Sequence, residues 1–250
     1  MNPFSRRFGG GVADAPPYPC PHLTVAGRTV AVTVVRSPRA RRLTLRADAV
    51  RGVVRVALPP RAKLAEAEAF VAAHHGWIAA RVARWPVAVP FAPGATIPFD
   101  GGTLTLDWHG ERRAGVVRDG DRLILGGAAA TVPGRTLRWL RAAALGDLAP
   151  ATMALAARLG HTAMVTVRDP ASRWGSCAAS GAINYSWRLI LAPPAVRQSV
   201  VAHEVAHLVH ANHGAAFWGL AGDLTDGDLA AARAWLRKHG AGLHWVGRAT

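Results

Sequence analysis

Lysine is almost missing from this 250-residue chain. Only Lys63 and Lys238 are lysines; the remainder of its 30 cations are arginines. Acids are scarce too: 15 Asp+Glu leave a formal charge of +15. Arginine and alanine richness can follow from codon composition, so the charge alone is no signature. Its field would still attract anions such as nucleic acid, nucleotides or acidic lipids. There are two cysteines, Cys20 and Cys177, which excludes a disulfide framework and fits a cytoplasmic protein. No apolar segment follows Arg6-Arg7, so no signal peptide is expected. The longest charge-free run, Val205 to Gly222, holds three histidines and a turn, so no membrane partner is expected. A phosphate-cradling glycine loop ending in Lys is absent, as is an acidic cluster suited to magnesium.

What is present is His203-Glu204-Val205-Ala206-His207, flanked by apolar residues. Residues four apart share one face of a helix. His203 and His207 can therefore offer two imidazole nitrogens to one ion. Zinc suits such a set, with three protein ligands and an open position for water. Glu204, about 100° round the helix from His203, can reach that water as general base. Pro193-Pro194 gives a helix start, and Val201, Val205 and Leu208 form a core-facing stripe. Asn212-His213-Gly214 gives a stop.

Two histidines compete to be the third ligand. On a straight helix His210 would lie roughly 7–8 Å along the axis from an ion midway between His203 and His207, at a rise of ~1.5 Å per residue. His213 is brought back if the chain turns at Asn212-Gly214. His213 is the preferred ligand and His210 the fallback.

Along the chain, residues 1–22 read as a disordered Gly/Pro-rich leader. Residues 23–132 read as a β-rich region with one long helix. Alternating segments at 29–35, 42–46 and 53–58 predict a small antiparallel sheet, and 3–4 spacing predicts a helix over 62–85. Strands resume at 96–99, 103–108, 114–118 and 121–125, with turns at Asp100-Gly101, His109-Gly110 and Asp119-Gly120. No internal repeat is evident. Arg36, Arg39, Arg41 and Arg42 cluster at a strand connection, read as a solvated loop in preference to an anion-binding edge. Residues 133–240 read as the catalytic domain. They hold a helix over 135–159 that Pro150 should kink or split and a strand over 182–192 leading to the histidine helix. Later helices carry Phe217-Trp218 and residues 226–239. Residues 241–250 read as a tail.

Several segments then look familiar together: Arg39-Ala40-Arg41-Arg42-Leu43-Thr44-Leu45-Arg46, Ser172-Arg173-Trp174-Gly175-Ser176-Cys177, Trp187-Arg188-Leu189-Ile190-Leu191-Ala192-Pro193-Pro194, the His203–Leu208 motif, and Asn212-His213-Gly214-Ala215-Ala216-Phe217-Trp218. Over roughly residues 28–240 the chain resembles the YgjP-like metallopeptidase-domain family, relatives of the SprT-like zincins. The family often has Ser where Gly214 stands here. The resemblance implies an α+β protein with a zincin-like minimal metallopeptidase domain, zinc on His203, His207 and His213, and Glu204 as acid/base. It implies a peptide or protein substrate, but nucleoside-triphosphate pyrophosphatase activity has also been assigned within the family.

Three functions are carried forward. In a zinc peptidase, strand 182–192 would pair with an extended substrate, and Arg173, Tyr185 or Arg188 would bind substrate and steady its oxyanion. In a metal-dependent nucleotide phosphohydrolase, Arg173, Arg188 or Arg197 would hold phosphate oxygens. In a non-catalytic nucleic-acid module, the metal would only brace the fold, and Glu204 would have no task. Trp174, Trp187 and Trp218 are expected to pack around the site, and Cys177 to be a buried structural thiol.

Overall fold

The computed structural model describes residues 18–19, 22–113 and 115–249. Most of the expected leader, with Cys20, lies outside the described residues, though Tyr18–Pro19 form a short strand (β1) on Val34 and Thr33. The architecture is mixed α+β, as expected. The described residues divide into two compact units, with the boundary between Val87 and Ala88.

The first unit holds β2 (Leu23–Val25), β3 (Arg28–Arg36), β4 (Thr44–Asp48), β5 (Val53–Leu58), α1 (Leu64–Ala73) and α2 (His75–Val82). The predicted helix over 62–85 is thus two helices, broken at His74 (φ −106, ψ 17), whose ring Nδ1–H donates to the Phe70 carbonyl at 2.8 Å. The sheet is mixed, not antiparallel: its order is β1-β3-β5-β4, with β3 parallel to β5. Alternation fixes which residues share a face but not strand direction. β5, with Val54, Val56 and Leu58 all buried, takes the interior position, and the more polar β4 takes the edge.

The second unit begins with β6 (Thr96–Phe99), β7 (Gly102–His109), β8 (Val116–Asp119) and β9 (Arg122–Gly126), in the order β6-β7-β9-β8 with β7 parallel to β9. The turns at Asp100-Gly101 and Asp119-Gly120 do make hairpins; the one at His109-Gly110 does not. The two sheets repeat one topology: two hairpins whose inner strands run parallel, then a helix. Both open on a left-handed pair, Ala26-Gly27 (φ 50 and 72) and Asp100-Gly101 (φ 52 and 81). The likeness is one of strand order and direction, which the residues themselves do not repeat.

Helix α3 (Val132–Arg158) runs unbroken through Pro150. Its buried residues Val132, Thr136, Leu140, Ala144, Leu148, Thr152 and Ala156 fall every fourth position. Packing along that whole stripe outweighs the one hydrogen bond Pro150 cannot make. Ile97, Leu104, Leu106, Leu123 and Leu125 of the β6–β9 sheet share a core with Leu140 and Trp187. The structural boundary therefore falls at 87, not at 132, where the sequence suggested it. The chain end also belongs to this unit: α6 (Leu229–Leu243) runs past residue 240, Leu243 and Val246 are buried, and Val246 bridges to Val89.

The last sheet has the order β10 (Met164–Arg168), β12 (Ala182–Ser186), β11 (Gly175–Cys177). A 3-10 turn, Trp187–Leu191, leads into α4 (Pro194–Ala206), and α5 is Ala215–Asp223. Arg197 anchors the start of α4, reaching Asp147 on α3 at 2.8 Å, Asp100 at 2.6 Å and the Ala192 carbonyl at 2.8 Å. No helix among the described residues is long and apolar enough to cross a membrane.

Candidate metal centre

Every residue of α4 from Ser199 to Ala206 is buried. Such a helix has no solvated face, so a His or Glu on it must find partners inside. The helix ends sooner than its sequence suggests, at Ala206, and the chain turns with the His210 N–H donating to the Ala206 carbonyl at 2.9 Å. That early turn swings His213 back over the helix end.

The ring centroid of His213 lies 5.0 Å from that of His203 and 4.6 Å from that of His207. Its Nε2 lies 3.2 Å from His203 Nε2 and 3.1 Å from His207 Nε2. Two zinc–imidazole bonds of about 2.0–2.1 Å in a tetrahedral site imply nitrogens about 3.3–3.4 Å apart. The spacing therefore fits a zinc-sized ion. Among the described residues these three are the group of His, Cys, Asp or Glu side chains able to hold a metal; His210 is not in it. His210 contributes its backbone instead: its carbonyl accepts from His207 Nδ1 at 2.9 Å, leaving the Nε2 lone pair of His207 for an ion.

The rings are held neutral, the form that ligates metals. Burial pushes His203 down to about 2, with the neighbouring rings adding to the effect. Burial likewise lowers His207 and His213. Phe217 of α5, itself buried, lies 4.9, 4.5 and 4.6 Å from His203, His207 and His213 and forms their common floor. Trp218 flanks His203 at 5.7 Å and His213 at 5.8 Å.

Glu204 is only 2% exposed, yet it lines a cavity of about 270 Å³ together with His203, His207, Arg173, Gly175 and Cys177. Burial pushes its carboxyl up to about 8, against the pull of the Arg173 charge and the Cys177 N–H, which donates to it. Gly175 lets it sit there. A Cβ at that position would lie 2.6 Å from both Cγ and Oε1 of Glu204. This contact went unread in the sequence, although the Gly stands inside the Arg-Trp-Gly-Ser-Cys segment. Trp174 braces the same segment, its ring tilted against His244 at 5.3 Å and seated where Gly240 leaves room.

Of the proposed substrate-binding residues, Arg173 lines the cavity and the other two do not. Tyr185 is fully buried and its hydroxyl meets Thr152 Oγ1 at 3.0 Å. Arg188 lies over the Trp187 ring, pairs with Asp169 at 3.0 Å and donates to the carbonyls of Leu243 and Val246 at 2.7 and 2.8 Å. Both are structural. Trp187 is fully buried at 6.4 Å from Phe91, a core residue and not a site wall. The substrate-pairing strand is also corrected. β12 is central, and the free edge beside α4 is β11. The Trp174 carbonyl and Ala178 N–H are taken by Ser186 and Ala182, so Gly175 and Cys177 turn their backbone groups away from β12. Cys177 is half-buried, and burial followed by the Glu204 charge pushes its thiol up to about 11.

The family described as YgjP-like, metallopeptidase domain, matches residues 41–239. No curated protein and no solved structure matches the chain.

Proposed function

The chain belongs to the YgjP-like metallopeptidase-domain family, and on that premise we propose that it is a zinc-dependent hydrolase of peptide bonds. The observation that carries this reading is the meeting of three imidazole Nε2 atoms, His213 lying 3.1 Å from His207 and 3.2 Å from His203, beside the buried carboxyl of Glu204, next to His203 on α4, which lines the adjoining cavity. His203, His207 and His213 hold the ion. When bound, zinc supplies Lewis acidity toward a water and a scissile carbonyl.

The remaining chemistry belongs to the protein. Glu204 accepts the proton of the attacking water and returns it to the departing amine nitrogen. The Cys177 N–H fixes the carboxylate's orientation, and the Arg173 charge favours its ionised form. Arg173 also lines the cavity where negative charge develops on the substrate oxygen, which suits it to steady that charge. On the outer edge of β11 the Cys177 N–H is taken by Glu204, which leaves the Gly175 backbone groups and the Cys177 carbonyl for an extended peptide.

The nucleotide reading has less support. Of the three arginines it needs, Arg188 and Arg197 are committed to carboxylates and carbonyls within the fold. The test is to assay purified protein on casein and on nucleoside triphosphates, before and after chelation. The reading expects casein cleavage that chelation abolishes and zinc restores. Cleavage indifferent to chelator, or triphosphate hydrolysis alone, would overturn it.

A further inference from the structure

The first unit carries a surface that hydrolysis does not use. Its sheet buries Val30, Val32 and Val34 of β3 and Val54, Val56 and Leu58 of β5 on one side, and α1 and α2 pack against the unit's strands. The opposite side presents the alternate residues. There Arg46 of β4 and Arg55 of β5 are direct cross-strand partners, with Thr33 of β3 next in line. Like charges placed opposite each other on a sheet repel. The Asp48 carboxyl, held below its ordinary value against burial by Arg51 and then Arg46, offsets part of that repulsion.

The loop that precedes β4 extends the same charge. Arg39, Arg41 and Arg42, all exposed, line an open hollow of about 640 Å³ with Thr44 and Ala57. No hydrogen bond or ion pair to Arg39, Arg41, Arg42 or Arg55 is found among the described residues. Residues 22–87 hold 12 Lys+Arg against 3 Asp+Glu. The one acid whose register puts it on this face is Asp48. It accepts from the N–H groups of Val50 and Arg51 at 3.1 Å each and pairs with the Arg51 guanidinium at 3.2 Å. Glu66 caps α1 by accepting from the Lys63 N–H at 2.8 Å. Neither acid forms an ion pair with Arg39, Arg41, Arg42 or Arg55.

We propose that this arginine face and hollow bind the phosphate backbone of nucleic acid without reading its bases. Planar guanidiniums, in preference to ammoniums, suit fixed, multiply bonded contacts to phosphate oxygens. Among the described residues the neighbours on the face are Thr, Val, Ala and Asp48, with no aromatic ring on which bases could stack. Contacts confined to phosphate carry no sequence information. Among the described residues no large exposed apolar side chain accompanies the arginines, as an anchor in lipid would require; Trp77 and Val87 lie elsewhere in the unit, on α2 and after it. Arg36 takes no part, since its guanidinium donates to the carbonyls of Pro59, Pro60 and Ala62; Arg39, Arg41 and Arg42 form the proposed anion-binding edge.

The test titrates full-length protein into labelled single-stranded and duplex oligonucleotides of unrelated sequence, over a range of salt. The expected result is binding with little sequence preference and a linear fall of log K with log salt. In R39A/R41A/R42A the affinity drops at least tenfold near 0.1 M salt, and the slope shrinks by about 3, at about 0.9 per lost duplex contact. R55Q, a single change within the sheet, weakens binding in the same direction. A control lacking the same number of exposed cations, R158A/R237A/K238A, keeps near-native affinity. Equal loss in both triple variants would mean diffuse charge and overturn the proposal. So would absent binding, or arginine-dependent binding to phosphatidylserine vesicles in preference to oligonucleotides. Chelated protein binds as well as the zinc-loaded form, so this proposal and the hydrolase reading fail separately.

Discussion

Glu204 occupies the space that a side chain on Gly175 would need: a Cβ there would come within 2.6 Å of its Cγ and Oε1. Two residues 29 positions apart in sequence thus share one volume, and the absence of a side chain on one permits the carboxylate of the other. In G175A the carboxylate must move while the three imidazoles stay. The expected outcome is full zinc content with casein cleavage down about 100-fold or more, the usual cost of misplacing a catalytic group by an ångström. Native activity in G175A would show that the contact is unimportant.

His213 and His210 should part company on metal analysis. His213 brings its ring nitrogen to the cluster, whereas His210 brings only a backbone carbonyl, which any residue retains. H213A should purify with little zinc, and H210A with about one ion per chain. The reverse pattern would reassign the third ligand.

Cys177 should be a sluggish nucleophile. Its thiol is held up to about 11, from an ordinary 9.0, by burial and then by the Glu204 charge. At pH 8 the thiolate fraction is then about 100-fold below that of a free cysteine, since reactivity follows the thiolate. In a C20S background, iodoacetamide labelling should be correspondingly slow and keep accelerating up to pH ~11. Labelling that levels off near pH 9 would contradict the assigned environment.

Arg197 ties the base of the histidine helix to its surroundings. It is 5% exposed, while its partners Asp100 and Asp147 are each 41% exposed. Removing one member of a buried pair costs about 3–5 kcal/mol. Partial hydration of the acids reduces that here to about 2–3 kcal/mol. R197M should lose this much in urea unfolding, with loosened zinc binding as a consequence. Unchanged stability would mean the acids bring no order to the helix start.

The sequence made the histidine helix legible because its information is local: a proline start, a 3–4 apolar stripe and imidazoles four apart. His213 could be favoured over His210 because helical rise sets a limit on reach. What stayed hidden is long-range. Nothing near Arg188 announces Asp169 or the carbonyls of Leu243 and Val246, so a charged residue beside the motif read as a substrate ligand. Tyr185 read the same way until Thr152 on α3 took its hydroxyl. Alternation revealed the strands but not that β3 and β7 each lie parallel to a strand two further along, so the repeated topology and the boundary at Val87 emerged only in three dimensions.

The most direct test of the whole account is E204Q. Glutamine keeps the size and the hydrogen bonding of the side chain but cannot take a proton. The account predicts one zinc per chain, as in the native protein, and casein cleavage lowered by about 10²–10⁴-fold, the share general acid–base catalysis contributes. A zinc-loaded E204Q that cleaves casein at the native rate would contradict it.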